Sequence, residues 1–447
     1  SLALAHTGHK APLQPGAGSH SPPAPAHLAS VRSRLAPLAQ PTDLGTLPSQ
    51  ALRSPPHYSV PRAHRPPVAE SLPTRAGSLI VPATIKRCLL FPLCLPAAAE
   101  YRDLRCLEMD GTVTRGSGAQ KRAGALSRLL AGGKGVVLDG ALATYLETLG
   151  ADISSALWSA SLLYTNPSLI QQTHATYFTH GARIATTASY QASLPGLTKH
   201  LSATPSDSDA AALVATSVVL AQKARDEYLS SAGNSLEDGD LLIAGSVGPY
   251  GAFLADGSEY TGAYSSSVTS DEYHSFHRGR IAALLSAGAD VLAIETIPSY
   301  PEAAALLSLL ASEFPVAEAW FAFTLHAADP TRLPDGTPLA DVVALLDGAP
   351  NVVAVGVNCV APEHALAGLR EMRRGTRKPL VVYANSGEKW DAAKRDWEGE
   401  RAGGGELAGW VREAWEAGAR IVGGCCRTGP EDMAVVAGTL RELEAEA

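Results

Sequence analysis

The sequence predicts an α/β fold, a (β/α)8 barrel of the TIM type. Three observations predict it. Short β-branched, apolar runs recur at regular spacing from about residue 135 onward, each run ends in polar residues or Gly, and helical-period segments follow most of them. Near-continuous apolar strands alternating with helices belong to a parallel sheet covered by helices. Eight such units in about 310 residues match a closed barrel. The competing arrangement is an open, doubly wound sheet, which usually carries a Gly-rich phosphate loop after its first strand. The stretch Asp139-Gly140-Ala141-Leu142-Ala143 lacks the required glycine spacing.

The strand runs are 135–139, 182–189, 241–247, 290–296, 319–325, 352–359, 380–385 and 420–425. The helical segments are 207–230, 271–288, 301–314, 339–346, 362–373, 406–418 and 430–444. Gly181, Gly288 and Gly418 stand just before a strand, where a left-handed residue suits a helix stop. Segments 190–208 and 249–270 read as long loops, and long loops in compact domains are often functional lids.

The chain divides into a leader, 1–108, and a barrel domain, 109–447. Residues 1–100 hold 17 of the 31 Pro and 6 of the 13 His, with nine Lys/Arg against three Asp/Glu. No helical or strand period runs through them, so this segment is expected to be disordered. The first Met is Met109. Either that residue is the natural start and the leader an over-extended gene model, or the leader is real and directs the protein to an organelle. Overall net charge is −8, which argues against a binder of nucleic-acid phosphates. No run of about 20 apolar residues is present, so no membrane-spanning helix is expected. Six Cys in 447 residues is too few for a disulfide scaffold.

In a barrel of this kind the active site lies at the C-terminal ends of the strands. There stand Asp139-Gly140, Ser189-Tyr190, Ser246, Glu295-Thr296, Asn358-Cys359, Asn385-Ser386 and Gly423-Gly424-Cys425-Cys426. All three Cys of the barrel segment after residue 135 therefore end strands six and eight, which flank strand seven. Neighbours on a regular strand point to opposite faces, but a Gly-Gly lead-in and a turn relax that limit for Cys425 and Cys426. Three thiolates suit a borderline-soft metal, Zn²⁺ best, with a fourth position open as in catalytic sites. Buried structural thiols or a redox pair are the alternative reading of the same residues.

Gly356-Val357-Asn358-Cys359 together with Gly423-Gly424-Cys425-Cys426-Arg427-Thr428-Gly429-Pro430 resembles the homocysteine S-methyltransferase family. Leu138-Asp139-Gly140, Ser189-Tyr190-Gln191-Ala192, 245–251, 256–260, Ile294-Glu295-Thr296 and 385–388 extend the resemblance, in order, over about residues 135–445. Ala384 departs from it, since many relatives carry Pro there. The resemblance implies the barrel fold, one Zn²⁺ held by Cys359, Cys425 and Cys426, and methyl transfer to homocysteine, forming methionine. The 256–260 run implies a sulfonium donor, S-methylmethionine or S-adenosylmethionine, rather than betaine. Two alternatives remain: a methyltransferase using betaine or another donor on homocysteine or a related thiol or selenol, and a non-catalytic zinc-bound sensor or scaffold.

The resemblance also implies substrate contacts for Asp139 and Glu295, whose carboxylates would hold the homocysteine ammonium. Asp139 could instead cap the following helix and Glu295 could sit in an ion pair. Backbone N–H groups near Gly140 and Gly424 are candidates for the substrate carboxylate. A cationic donor favours aromatic faces. By the resemblance, Trp158 and Tyr190 match positions that the family's betaine branch uses around its cationic donor. Tyr250, Tyr260 and Tyr264 are weaker candidates in the same region. His274 and His277 stand three residues apart and are read as an exposed helix face, not a metal pair, and His326 as a polar loop residue. Free thiolates need a reducing compartment, so the cytoplasm is expected.

Overall fold

The computed structural model describes residues 124–446 apart from 156, 202–205, 232–235, 237–238, 392–395 and 399–400. The leader 1–108, with Cys88, Cys94, Cys106 and the question of its start, lies outside the described residues. The strands are β1 Val136–Val137, β2 Ile184–Thr186, β3 Leu242–Val247, β4 Val291–Ile297, β5 Ala319–Phe323, β6 Val352–Asn358, β7 Leu380–Ala384 and β10 Ala419–Gly424, with a small antiparallel hairpin, β8 Lys389–Asp391 and β9 Asp396–Glu398, between the last two. The parallel strands pair in the order β1-β10-β7-β6-β5-β4-β3-β2. A parallel bridge between Leu138 and Ile184 joins the two edges. Arg183 N–H donates to the Val137 carbonyl at 2.8 Å and Asp139 N–H to the Ile184 carbonyl at 3.1 Å, so the sheet closes as the expected barrel.

The period of two along each strand sorts side chains between two cores. Inward-facing residues include Val136, Leu242, Ala244, Val291, Ala293, Trp320, Ala322, Val381, Tyr383 and Ile421. Residues of opposite parity, such as Leu292, Ile294, Phe321 and Val355, pack against the helices. Continuing the inward parity reaches Ser246 on β3 and Glu295 on β4 in one step, and Asn358 on β6 and Cys425 beyond β10 in two. The far end of the barrel is closed by α1, Ala125–Leu129, whose Leu126 is fully buried in the interior core. Glu318, just before β5, accepts from the backbone N–H groups of Leu126 (2.8 Å) and Ser127 (3.3 Å), satisfying donors that a helix start leaves unpaired.

Between β1 and β2 lie α2 Leu142–Thr148, a 3₁₀ turn Trp158–Ser161, α3 Leu162–Thr165 and α4 Pro167–Thr179. The region expected as a long loop, 190–208, contains α5, Leu194–His200. Helix α6, Asp207–Leu229, starts on a capping box of Ser206 and Asp209. The other long segment carries α7, Tyr250–Leu254, and a 3₁₀ turn, Ser258–Tyr260. Helix α8, Ser270–Ala287, starts on a capping box of Thr269 and Glu272 and stops at left-handed Gly288. The remaining helices are α9 Tyr300–Glu313, α10 Leu339–Asp347, α11 Pro362–Arg373, α12 Gly404–Glu416 and α13 Pro430–Glu446.

Helix α8 corrects the expectation for its histidines. His277 is fully buried, with Nε2 2.9 Å from Glu302 Oε1, and His274 Nε2 lies 2.9 Å from the Ala305 carbonyl. The solvent-face reading failed because α8 is covered by α9, and the two imidazoles fill polar gaps in that contact. The buried chain continues from His277 Nδ1 to Arg280, 3.0 Å away. Arg280 donates to the carbonyls of Tyr190 (2.8 Å) and Gly248 (2.5 Å). Glu302 in turn accepts from Tyr250 N–H at 2.6 Å and from the Tyr264 hydroxyl at 2.5 Å. Buried side chains of α8 and α9 thus hold the loops after β2 and β3. Removing Arg280 leaves the two buried carbonyls without their donor, at about 1–3 kcal/mol for each unsatisfied group. Arg280→Met should therefore lower the chemical-unfolding midpoint sharply, and an unchanged urea denaturation curve would count against this role.

Candidate metal and substrate site

The thiol centre is built by strand ends around β7. Cys359 follows β6 in a left-handed conformation, φ 55, and is 8% exposed. Its N–H donates to the Tyr383 carbonyl at 3.1 Å. On the other flank, Cys425 N–H donates to the Ala384 carbonyl at 2.8 Å. Strand β10 ends at Gly424, so Cys425 and Cys426 lie in a turn, closed by Thr428, whose N–H and hydroxyl both donate to the Cys425 carbonyl at 3.0 and 2.7 Å. The two glycines are required by space. A Cβ on Gly423 would lie 2.7 Å from the Asp139 carbonyl oxygen, and one on Gly424 would lie 2.1 Å from Thr428 Oγ1.

These turns bring the three sulfurs within 4.8 Å of one another, with Cys359 Sγ and Cys426 Sγ 3.6 Å apart. All three thiols are free. Hydrogen bonds from Cys359 and Cys425 pull the Cys426 thiol well below its ordinary value. Tetrahedral thiolate ligands at about 2.3 Å from one ion lie about 3.8 Å apart, so the set fits a single metal ion. The Tyr260 hydroxyl is 3.4 Å from Cys359 Sγ. Asn358 locks the neighbouring strand end: its Oδ1 accepts from Thr296 N–H and its Nδ2 donates to Thr296 Oγ1, both at 2.8 Å. Thr296, at φ 59, is left-handed like Cys359, and such strained residues gather where the surroundings over-determine them.

Below the sulfurs lie two buried carboxyl groups. Asp139, 2% exposed, accepts from Thr186 N–H at 2.7 Å and from the Thr186 hydroxyl at 2.8 Å. It does not cap α2, whose N-cap is Ala141. Burial pushes its carboxyl up to about 8 despite these bonds, with the Glu295 charge adding to the rise. Glu295, 7% exposed, accepts from Ser246 Oγ and, at 3.0 Å, from the Tyr383 hydroxyl, so its hydrogen-bond partners are hydroxyls rather than a cation. Trp320 Nε1 donates to Tyr383 at 3.2 Å and extends the relay into the barrel interior. Burial pushes Glu295 up to about 7.

The Tyr190 hydroxyl is hydrogen-bonded to Thr296, and burial with the charges of Glu259 and Cys359 pushes it up. Its ring lies over Gly248, where a Cβ would come within 2.8 Å. Trp158 opens its 3₁₀ turn at φ 47 and is 40% exposed as a residue; among the described residues its side chain makes no hydrogen bond to the strand-end groups. Of the three weaker tyrosines, Tyr260 reaches the thiols, while Tyr250 and Tyr264 pack together, ring centroids 5.6 Å apart. Gly140 is confined by Tyr177 and Thr428, and the Gly424 N–H is taken by the Asp139 carbonyl at 3.2 Å, which corrects its reading as a carboxylate donor. His326 is the expected turn residue, accepting from Ala328 N–H at 3.2 Å. Sequence reasoning had not assigned Ser246, Tyr383 and Glu259 a role, although strand parity places the first two beside Glu295.

The homocysteine S-methyltransferase family model matches residues 136–440. The chain is 48% identical over 301 residues to the homocysteine S-methyltransferase of Escherichia coli strain K12, covering 67% of this chain and 94% of that protein. It is 44% identical over 310 residues to homocysteine S-methyltransferase YbgG of Bacillus subtilis strain 168, covering 69% and 95%. The crystal structure of the homocysteine methyltransferase MmuM from Escherichia coli in its metallated form superposes with a TM-score of 0.62 at 45% identity, covering 70% of this chain and 99% of that one. The chain therefore belongs to the homocysteine S-methyltransferase family of methyltransferase enzymes.

Proposed function

We propose that this enzyme transfers a methyl group from a sulfonium donor, S-methylmethionine or S-adenosylmethionine, to the thiol of homocysteine, forming methionine. The observation that carries the reading is the convergence of Cys359, Cys425 and Cys426 within 4.8 Å in a member of this family. The all-sulfur donor set favours Zn²⁺ among common metals. A Zn²⁺ ion bound there supplies the positive charge that keeps an incoming thiol deprotonated and nucleophilic near neutral pH.

The protein's own residues orient the acceptor and the donor. Asp139 and Glu295, on the inner wall, pair with the homocysteine ammonium, and the backbone at Gly140 borders its carboxylate. The relay from Trp320 through Tyr383 fixes the Glu295 carboxylate, so the acceptor sulfur is presented to the thiol centre in one orientation. Trp158 and Tyr190 present aromatic faces to the cationic donor. In the transfer, the acceptor sulfur's electron pair attacks the methyl carbon, the donor's C–S bond breaks, and its pair stays on the donor sulfur. Nothing in this step requires water. No described helix is long and apolar enough to cross a membrane, and three free thiols suit a reducing compartment, so the cytoplasm is the proposed location.

Methionine formation by purified full-length protein, with bound zinc quantified, tests the reading directly. Cys426→Ala should lose metal and activity together, by more than the roughly 10–100-fold typical of a ligand's supporting partner. A metal-free Cys426→Ala protein of normal turnover would overturn it.

The raised carboxyl values set a pH dependence. Asp139 and Glu295 pair with an ammonium only when ionised, and they hold their protons up to about 8 and about 7. Homocysteine kcat/KM should therefore fall as pH drops through this window. Tyr383→Phe removes a bond that favours the Glu295 anion and should move the acid limb to higher pH. A limb that stays in place would contradict the assignment.

Trp158→Ala should raise the donor KM about 2–30-fold, the range of a cation–π contact, while leaving the homocysteine KM in place. Equal changes in both constants would refute the donor-side role.

A further inference from the structure

The acceptor side described above leaves one buried acid without a role. Glu259 lies on the 3₁₀ turn Ser258–Tyr260, is 4% exposed, and its Oε2 has no hydrogen-bond partner. Among the described residues no Lys, Arg or His side chain is paired with it. An ionised carboxylate in such a place is costly unless a cation joins it. Its surroundings are the reaction centre. The adjacent Tyr260 puts its hydroxyl 3.4 Å from Cys359 Sγ, and the Tyr190 hydroxyl feels the charges of Glu259 and Cys359 together. The turn is held firmly, since a Cβ on Gly251 would lie 2.5 Å from Glu259 N.

We propose that Glu259 is the counter-ion of the donor's positively charged sulfur, and that it makes the site select a sulfonium over a neutral thioether. This rests on the sulfonium-donor reading given above. The sulfonium, rather than the donor's ammonium, is the group concerned. A transferable methyl must stand about 3–3.5 Å from the accepting sulfur, and that sulfur is directed to the centre that Glu259 borders at Cys359. As the methyl passes, the donor's C–S bond breaks with its electrons left on sulfur, and a C–S bond forms to homocysteine. The positive charge disappears in this step. The attraction to Glu259 is therefore strongest before transfer and absent afterwards, so it serves donor capture and releases the neutral product. An interaction of this kind lowers the donor KM and, being weaker in the transition state than in the ground state, does not raise kcat, so its loss leaves kcat unchanged or higher.

The test compares zinc-loaded full-length wild type, Glu259→Gln and Glu259→Asp in steady-state turnover of S-methylmethionine with homocysteine, with S-methylmethionine binding measured by calorimetry and folding checked by thermal unfolding. Gln keeps the shape and removes the charge. It should raise the donor KM and Kd at least about tenfold, as expected for loss of a charge-assisted contact, with kcat undiminished and the homocysteine KM within about twofold. Asp should restore part of the donor affinity. An active wild type whose donor KM is insensitive to Glu259→Gln overturns this proposal and leaves the methyltransferase reading standing. So does an equal loss for both substrates, or a fall in kcat alone. A wild type that accepts no sulfonium donor overturns both.

Discussion

The site depends on how β7 is hydrogen-bonded on its two sides. Successive carbonyls of a strand point in opposite directions, and here Tyr383 and Ala384 accept from the N–H groups of Cys359 and Cys425 respectively. The return bonds come from Asn385 N–H to the Val360 carbonyl at 2.9 Å and from Ser386 N–H to the Cys426 carbonyl at 3.1 Å. Both thiol-bearing turns are therefore fastened to one strand and its two following residues. The separation of the sulfurs is set by backbone spacing, so an ion arriving there finds its ligands already gathered and need not order a loop.

The same centre concentrates like charge. Asp139, Glu259 and Glu295 are buried around three thiols, and burial raises all three acids, Glu259 and Glu295 to about 7 and Asp139 to about 8. Such an assembly is unfavourable by itself and becomes favourable when cations enter. An acidic wall that is costly to hold empty is a means of discriminating among small solutes, because neutral competitors leave the desolvation cost in place. The hydrogen bonds from Thr186, Ser246 and Tyr383 aim Asp139 and Glu295 without neutralising them.

The barrel and the convergence of the three thiols were legible because both follow from short-range rules. Apolar runs define the strands, their ends define the mouth, and Cys359, Cys425 and Cys426 sit at those ends. The strand-end placement of Glu295 and Asp139 was legible for the same reason, while a role for them came only from the family resemblance. What was obscure depends on packing between distant elements. His277 and Glu302 are 25 residues apart on different helices, and nothing in the periodicity of α8 reveals that α9 covers it. The 3₁₀ turn that carries Glu259 has no hydrophobic period to betray its burial. Ser246 and Tyr383 could have been found by carrying strand parity one step past the apolar residues, which places both on the inner wall beside Glu295. The Gly424 N–H was misjudged because its partner, the Asp139 carbonyl, belongs to the opposite end of the chain.

In the proposed reading, acceptor and donor functions ride on different parts of the architecture. The sulfurs, Asp139 and Glu295 are mounted on strand termini, where the hydrogen-bonded ladder fixes them to one another. Glu259, Tyr260 and Tyr190 are mounted on excursions after β2 and β3, anchored through backbone contacts to Arg280 and Gly251. Exchange of those excursions leaves the ladder untouched. On that reading the scaffold is modular: its choice of methyl source can diverge by loop replacement while the machinery that receives the carbon stays constant.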